Sequence, residues 1–389
     1  MRAVKRFLRR AFDAPPLIPE PEEYQLVRPL PLDRDPSRKR PFLVEVCERA
    51  KVDRLHTQGL EGEGMTAAII DTGLKRDHVD FLPSSRYVGG RNFVGAKPEE
   101  DVSDFHGHGT HVAGVLAAGG TIHHGIAPKA RLVILKIGNY NGPSRAALRD
   151  ALQWVVRKRR KLNISVVNVS CADGSYVDDT SFTPNDIQPL IAKLRSKGVP
   201  VVISSGNAFF QQPCEGMGHP AIFRESTSVG AVYAADVGCH EYLDGSKAFS
   251  TGPGRFLPMS QRLHQTTHRA TKTDIFAPGA HTISCGIASP TDSTTMTGTS
   301  QAAPVIAGIL LLMQEYAIRN FEYRATVDEL EASLVAGADL RYDGDDEDDN
   351  GRHTKKEYPI VNAVGAIEAL DRILSASFVV RCLRKLGFR

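Results

Sequence analysis

The 389-residue sequence predicts an α/β protein with a doubly wound, mostly parallel sheet and helices on both faces. Short apolar runs recur along the chain, helical stretches lie between them, and the runs are continuously apolar rather than alternating, as in strands buried on both faces. In chain order the predicted strands are MTAAII (65–70), RLVILKI (131–137), ISVVNVS (164–170), PVVISS (200–205) and TSVGAVY (227–233). The predicted helices are HVAGVLAA (111–118), SRAALRDALQWVVRKRRKL (144–162) and PNDIQPLIAKLRSKG (184–198), the last ending on a glycine suited to a C-cap, and a strongly apolar helix opens at Ser300. Active groups of such folds gather beyond the carboxyl ends of the strands.

Composition narrows the class. Hydrophobic residues make up 41% and charged residues 24%, which excludes a wholly disordered or collagenous chain, and no apolar run reads as long enough to span a bilayer. The net charge of +3 gives no sign of a nucleic-acid binder. Basic residues crowd both ends: Arg2, Lys5, Arg6, Arg9 and Arg10, then Arg381, Arg384, Lys385 and Arg389. Removing those nine turns the formal charge from +3 to −6. The chain therefore divides into a basic amphipathic start and proline-rich arm (1–41), a folded domain (42–376) and a basic tail (377–389). Both ends have apolar residues at helical spacing, which suits either an anchor to an anionic membrane or acidic partner, or docking on the body. Six cysteines without a CxxC pair signal neither a zinc site nor a disulfide framework. Arginine and lysine interrupt every apolar pair of the first residues, so no secretory signal is read and a cytoplasmic location is expected.

Three segments carry chemistry. The strand MTAAII runs into Asp71, HGHGTHVAG sets His108 between glycines at a helix start, and TMTGTSQAAP sets Ser300 at the start of another helix. A serine hydroxyl is a poor nucleophile at neutral pH. It needs an imidazole to take its proton and a carboxylate to orient that imidazole. Asp71, His108 and Ser300 supply the three groups. Asn207, after the strand PVVISS, is the candidate side-chain donor to the oxyanion, beside the backbone N–H of Ser300.

These segments resemble the subtilisin-like serine proteases, with DTG at 71–73, HGTHVAG at 108–114 and GTSQAAP at 298–304 in the family's order. The resemblance covers about residues 45–370. It implies a serine endopeptidase acting through an acyl-enzyme on protein or peptide substrates, with Asp71 as orienting acid, His108 as general base, Ser300 as nucleophile and Asn207 as oxyanion donor. It also places substrate along Ser170, Cys171 and Ala172, over a pocket floor at Gly218. Ala172 and Asp173 stand where the family usually has glycines; a glycine floor leaves room for a large P1 side chain, and Asp173 favours a basic one. A transpeptidase or macrocyclase of the same fold, or a catalytically silent binding module, are the alternatives; the intact motif residues count against the last.

No cofactor is implied for the chemistry, whereas calcium is common in the family. Asp80 matches a position that often serves that ion, but the usual ligand loop is shortened to AAGGTIHH. Neither His123 and His124 in it nor His106 and His111 upstream show metal-ligand spacing. A second acidic loop, 346–357, fits an EF-hand pattern through Asp346, Asp348, Asn350 and Glu357, with a solvated acidic hairpin as the other reading. Residues 252–273 read as a polar surface loop beside the cleft. Leu17, Ile18 and Pro19 loosely resemble the short inhibitory extension of intracellular subtilisins.

Overall fold

The structure is a computed structural model that describes residues 43–385 except 96–98, 140–141, 181, 183–184, 213 and 345–347, with side chains up to 376. The N-terminal arm, with its basic start and Leu17–Pro19, lies outside the described residues. The sequence-predicted strands form as β1 (Thr66–Asp71), β3 (Arg131–Lys136), β4 (Val166–Val169), β5 (Val201–Ser204) and β6 (Thr227–Tyr233). They are joined by β2 (Tyr87–Asn92), β7 (Ile275–Ala280), β8 (Asp339–Tyr342) and β9 (Glu357–Ile360) in one sheet of order β8-β9-β7-β6-β5-β4-β1-β3-β2. Every pairing is parallel except β8 with β9 at the edge.

Successive residues of a strand point to opposite faces, and β1 shows the result: Ala67 and Ile69 enter one core, Ala68 and Ile70 the other. The first core packs α1 (Val44–Ala50), α2 (His108–Ala117), α5 (Thr299–Phe321) and α7 (Ala363–Lys385), through residues such as Val46, Val112, Ile306 and Leu370. The second packs α3 (Arg145–Lys158) and α4 (Gln188–Arg195), through Leu148 and Ile191. The sheet is thus doubly wound. The chain order reverses at β1, which pairs with β4 on one side and β3 on the other, and such a switch point opens a crevice beyond the strand ends. Asp71 closes β1 at that crevice.

Local chemistry sets the helix limits. Ser144 caps α3 by accepting from the Ala147 amide at 3.0 Å, and Gly198, at φ +73°, ends the turn after α4. Helix α6 (Val327–Ala336) starts with a reciprocal capping box between Thr326 and Glu329.

Three expectations are corrected. Helix α5 is long and apolar enough to cross a membrane, but nearly all of it is buried against the sheet, as the central helix of a two-faced sheet must be. Helix α7 continues to Lys385, through the boundary drawn at residue 377. The segment 252–273 is a surface loop only in part: residues 265–267 and 269–270 are exposed, but Phe256, Leu257, Met259 and Leu263 are in the core, and Arg262 is 1% exposed.

A guanidinium is buried only with compensation. Arg262 lies over the rings of Phe209 (4.1 Å) and Phe256 (5.5 Å), with Nε 3.0 Å from Oδ2 of Asp343 and an Nη2–H donated to the Arg352 carbonyl. Asp343 is fully buried on the loop after β8 and also accepts from the Thr354 amide and hydroxyl, at 2.8 and 2.7 Å. Burial alone would raise its pKa, but the Arg262 charge and these hydrogen bonds hold it below the ordinary carboxylate range. The pair staples the 252–273 segment to the β8–β9 loop.

Replacing either partner alone strands a buried charge. Arg262→Ala and Asp343→Ala are each expected to lower unfolding stability by about 3–5 kcal/mol. Urea unfolding in a Ser300→Ala background, where self-digestion does not intrude, measures this; a loss under about 1 kcal/mol in both variants would show that the pair is incidental.

Candidate active site

Asp71 and His108 meet because a strand end and a helix start face each other across the crevice. The Nδ1 of His108 lies 2.7 Å from Oδ1 of Asp71, which also accepts from the Thr72 amide at 2.7 Å, and both side chains are buried. Burial disfavours the imidazolium, but the Asp71 charge and hydrogen bond outweigh it, so the His108 pKa rises above the ordinary histidine value.

Asp104, which sequence reasoning missed, fixes that helix start. Its buried carboxylate accepts from the amides of His106, Gly107 and Thr110 and from the hydroxyls of Thr72 and Thr110, at 2.7–3.0 Å. Burial would raise its pKa, but these bonds lower it below the ordinary value. The Thr72 hydroxyl in turn accepts from the Gly109 amide at 2.8 Å. An acid two residues before the HGHGTH run was the available signal, too common in turns to single out.

Ser300 is the second residue of α5. Pro304, four residues on, has no N–H to donate to the Ser300 carbonyl. The Ser170 hydroxyl takes that place at 2.8 Å, while the Ser300 hydroxyl donates to the Ser170 carbonyl at 3.0 Å. Asn207 is oriented from the same helix: its Oδ1 accepts from the Thr299 amide and hydroxyl at 2.9 and 3.0 Å, which leaves Nδ2 as its donor. Gly298 permits the approach, since at φ +149° a Cβ there would lie 2.9 Å from Asn207 Nδ2. His108, Asn207 and Ser300 line one cleft.

Cys171 and Ala172 line that cleft; Ser170 is buried behind Ser300, and Gly218 is not among the lining residues. The space above Gly218 is already filled, because a Cβ there would come 2.7 Å from the Ala172 methyl. The expected open floor is therefore narrowed by Ala172. Two carboxylates line the cleft, Asp173 and Asp244. Burial raises the Asp173 pKa, and Oδ2 of Asp244 is buried with no hydrogen-bond partner. Met259 and Gln261 of the 252–273 segment line it too.

The EF-hand reading fits the structure poorly. Strands β8 and β9, not helices, flank the loop, and Asn350 spends its amide on Lys247 N–H and the Gly245 carbonyl. Asp348 is exposed, Glu357 is an exposed residue of β9 and Asp346 lies outside the described residues. Around Asp80 stand two imidazoles and a thiol, donors that calcium does not favour.

The subtilase family model matches residues 62–362. The chain is 28% identical to the major intracellular serine protease of Bacillus subtilis over 75% of this chain and 82% of that protein. It is 28% identical to an intracellular serine protease of Paenibacillus polymyxa (70% and 74% covered) and 31% identical to subtilisin-like protease 3 of Pseudogymnoascus destructans (64% and 52%). With the family model spanning most of its length, the chain belongs to the subtilase family of serine peptidases.

Proposed function

We propose that this protein is a serine endopeptidase in which Ser300 attacks the scissile carbonyl of a protein or peptide chain to form an acyl-enzyme. The observation that carries this is the 2.7 Å contact of His108 with Asp71 at the edge of the cleft that Ser300 and Asn207 also line. The Ser300 hydroxyl turns from the Ser170 carbonyl to give its proton to Nε2 of His108 as its oxygen bonds to the carbonyl carbon. The imidazolium, stabilised by Asp71, then protonates the leaving amine. The Ser300 N–H at the start of α5 and Nδ2 of Asn207 receive the oxyanion, and losing one such donor costs about 3–4 kcal/mol of barrier. Water, deprotonated by His108, releases the acyl group. The relatives described as intracellular support an intracellular place of action.

Asp173 and Asp244, both on the cleft wall, favour substrates with basic side chains near the scissile bond.

Wild-type protein is expected to react with a fluorophosphonate probe and Ser300→Ala not at all. Absence of Ser300-dependent labelling, also after removal of residues 1–40, would sink the enzyme reading. Because neutral His108 is the active form and its pKa is raised, kcat/KM should climb with pH through a midpoint above about 6.5. A midpoint at or below that value would contradict the coupling to Asp71. In a peptide library, Asp173→Asn is expected to reduce the preference for Arg or Lys over Leu by about tenfold, roughly 1.4 kcal/mol; an unchanged profile would remove Asp173 from specificity.

A further inference from the structure

The shortened loop after α2 does more than close the chain. His78, Asp80, His123 and Cys285 each offer one ligand atom, all of these atoms lie within 4.8 Å of one another, and all four residues are fully buried. They come from three separate segments: the helical turn at 79–81, the turn that follows α2, and the strand Thr282–Cys285.

We propose that these four side chains form a structural zinc site. Two imidazoles, one carboxylate and one thiolate make a four-coordinate set that suits a borderline divalent cation and none of the oxygen-seeking ones. Tetrahedral bonds of about 2.0–2.3 Å put ligand atoms about 3.3–3.6 Å apart. Oδ2 of Asp80 lies 3.9 Å from Nδ1 of His78 and 3.8 Å from Sγ of Cys285, so these edges need to contract by only a few tenths of an ångström.

The surroundings support the assignment independently. Metal-bound histidines usually engage their other ring nitrogen with a fixed acceptor, which sets the tautomer. Nε2 of His78 donates to the Asp292 carbonyl at 2.9 Å, leaving the Nδ1 lone pair toward the cluster, and Nε2 of His123 lies 3.0 Å from the Ser293 hydroxyl. The Asp80 carboxylate is oriented by the amides of Ile122 and His123, at 2.8 and 2.9 Å. His78 Nδ1 also accepts from the Asp80 amide at 3.2 Å, so this is the ligand that a cation must win from the backbone. Four buried protein ligands leave no open position for substrate, which makes the role structural rather than catalytic. The Cys285 thiol packs directly on the catalytic helix, where a Cβ added at Gly114 would lie 2.8 Å from Sγ.

The test uses the full-length chain in the Ser300→Ala background, stripped with a chelator and titrated with cobalt and then zinc. One equivalent of cobalt is expected, with the intense visible bands of a tetrahedral ion and a thiolate-to-metal charge-transfer band, and zinc should displace it where calcium does not. Cys285→Ser should lose the charge-transfer band and His123→Gln should weaken binding at least about tenfold, while replacing the exposed Cys214 and Cys239 together changes neither. If Cys285→Ser does not fold, X-ray absorption of the zinc-loaded protein replaces it, with one sulfur expected at about 2.3 Å. No cobalt binding, a thiolate band that survives Cys285→Ser, or a zinc shell without sulfur would each overturn the site.

Discussion

The contact between Asp71 and His108 depends on where one helix begins. A helix start leaves N–H groups without intrahelical partners, and Gly107, the residue before α2, has no side chain to cap them. The cap is supplied from elsewhere: Asp104 takes the amides of Gly107 and Thr110, and Thr72 takes that of Gly109. Thr72 is the neighbour of Asp71 and itself donates to Asp104. The strand that carries Asp71 and the helix that carries His108 are therefore tied through one buried carboxylate. The role proposed for this pair requires placement within a fraction of an ångström, and a fixed polar network achieves this where apolar packing alone would permit sliding.

Ser300, the proposed nucleophile, is held by a different arrangement of backbone groups. Pro304 removes one donor from α5, and the carbonyl it frees, that of Ser300, is bound by Ser170. Ser170 lies just beyond β4, the neighbour of β1 in the sheet. The proline that looks like a blemish in an apolar helix thus couples Ser300 to the strand system that places Asp71, and Thr299 links Asn207 to the same helix. Asp71, His108, Ser300 and Asn207 are thus all referred to one sheet.

Much of this was legible because the signals are local. Continuous runs such as RLVILKI and TSVGAVY can satisfy their side chains only between two layers, so the strands and the fold class followed; Asp71 and Asn207 sit where such runs end, and His108 and Ser300 sit where glycine-preceded helices begin. What escaped depends on distant residues. IFAPGA has a proline and a glycine where a strand signal needs β-branched residues, yet it is β7, because β6 pairs along it. The 252–273 segment is polar in composition, but Arg262 finds its counter-charge about eighty residues on, at Asp343. Asp80 and Cys285 are more than two hundred residues apart, and no spacing rule connects them.

These distant contacts also bear on the turn that follows α2. That helix is buried along its whole length of about 15 Å, so the groups that fix its far end also help to set the position of His108 at its start. Its start is fixed by Asp104. At its end, Gly119 donates to the Asp80 carbonyl at 2.8 Å, and the Asp80 carboxylate holds the Ile122 and His123 amides. One carboxylate thus anchors each end, and both recruit backbone amides rather than ion pairs. The second carries the heavier load, because it must also bind the turn at 79–81 and the strand ending at Cys285 to the helix. A cation shared by those segments would fix all three with one set of bonds.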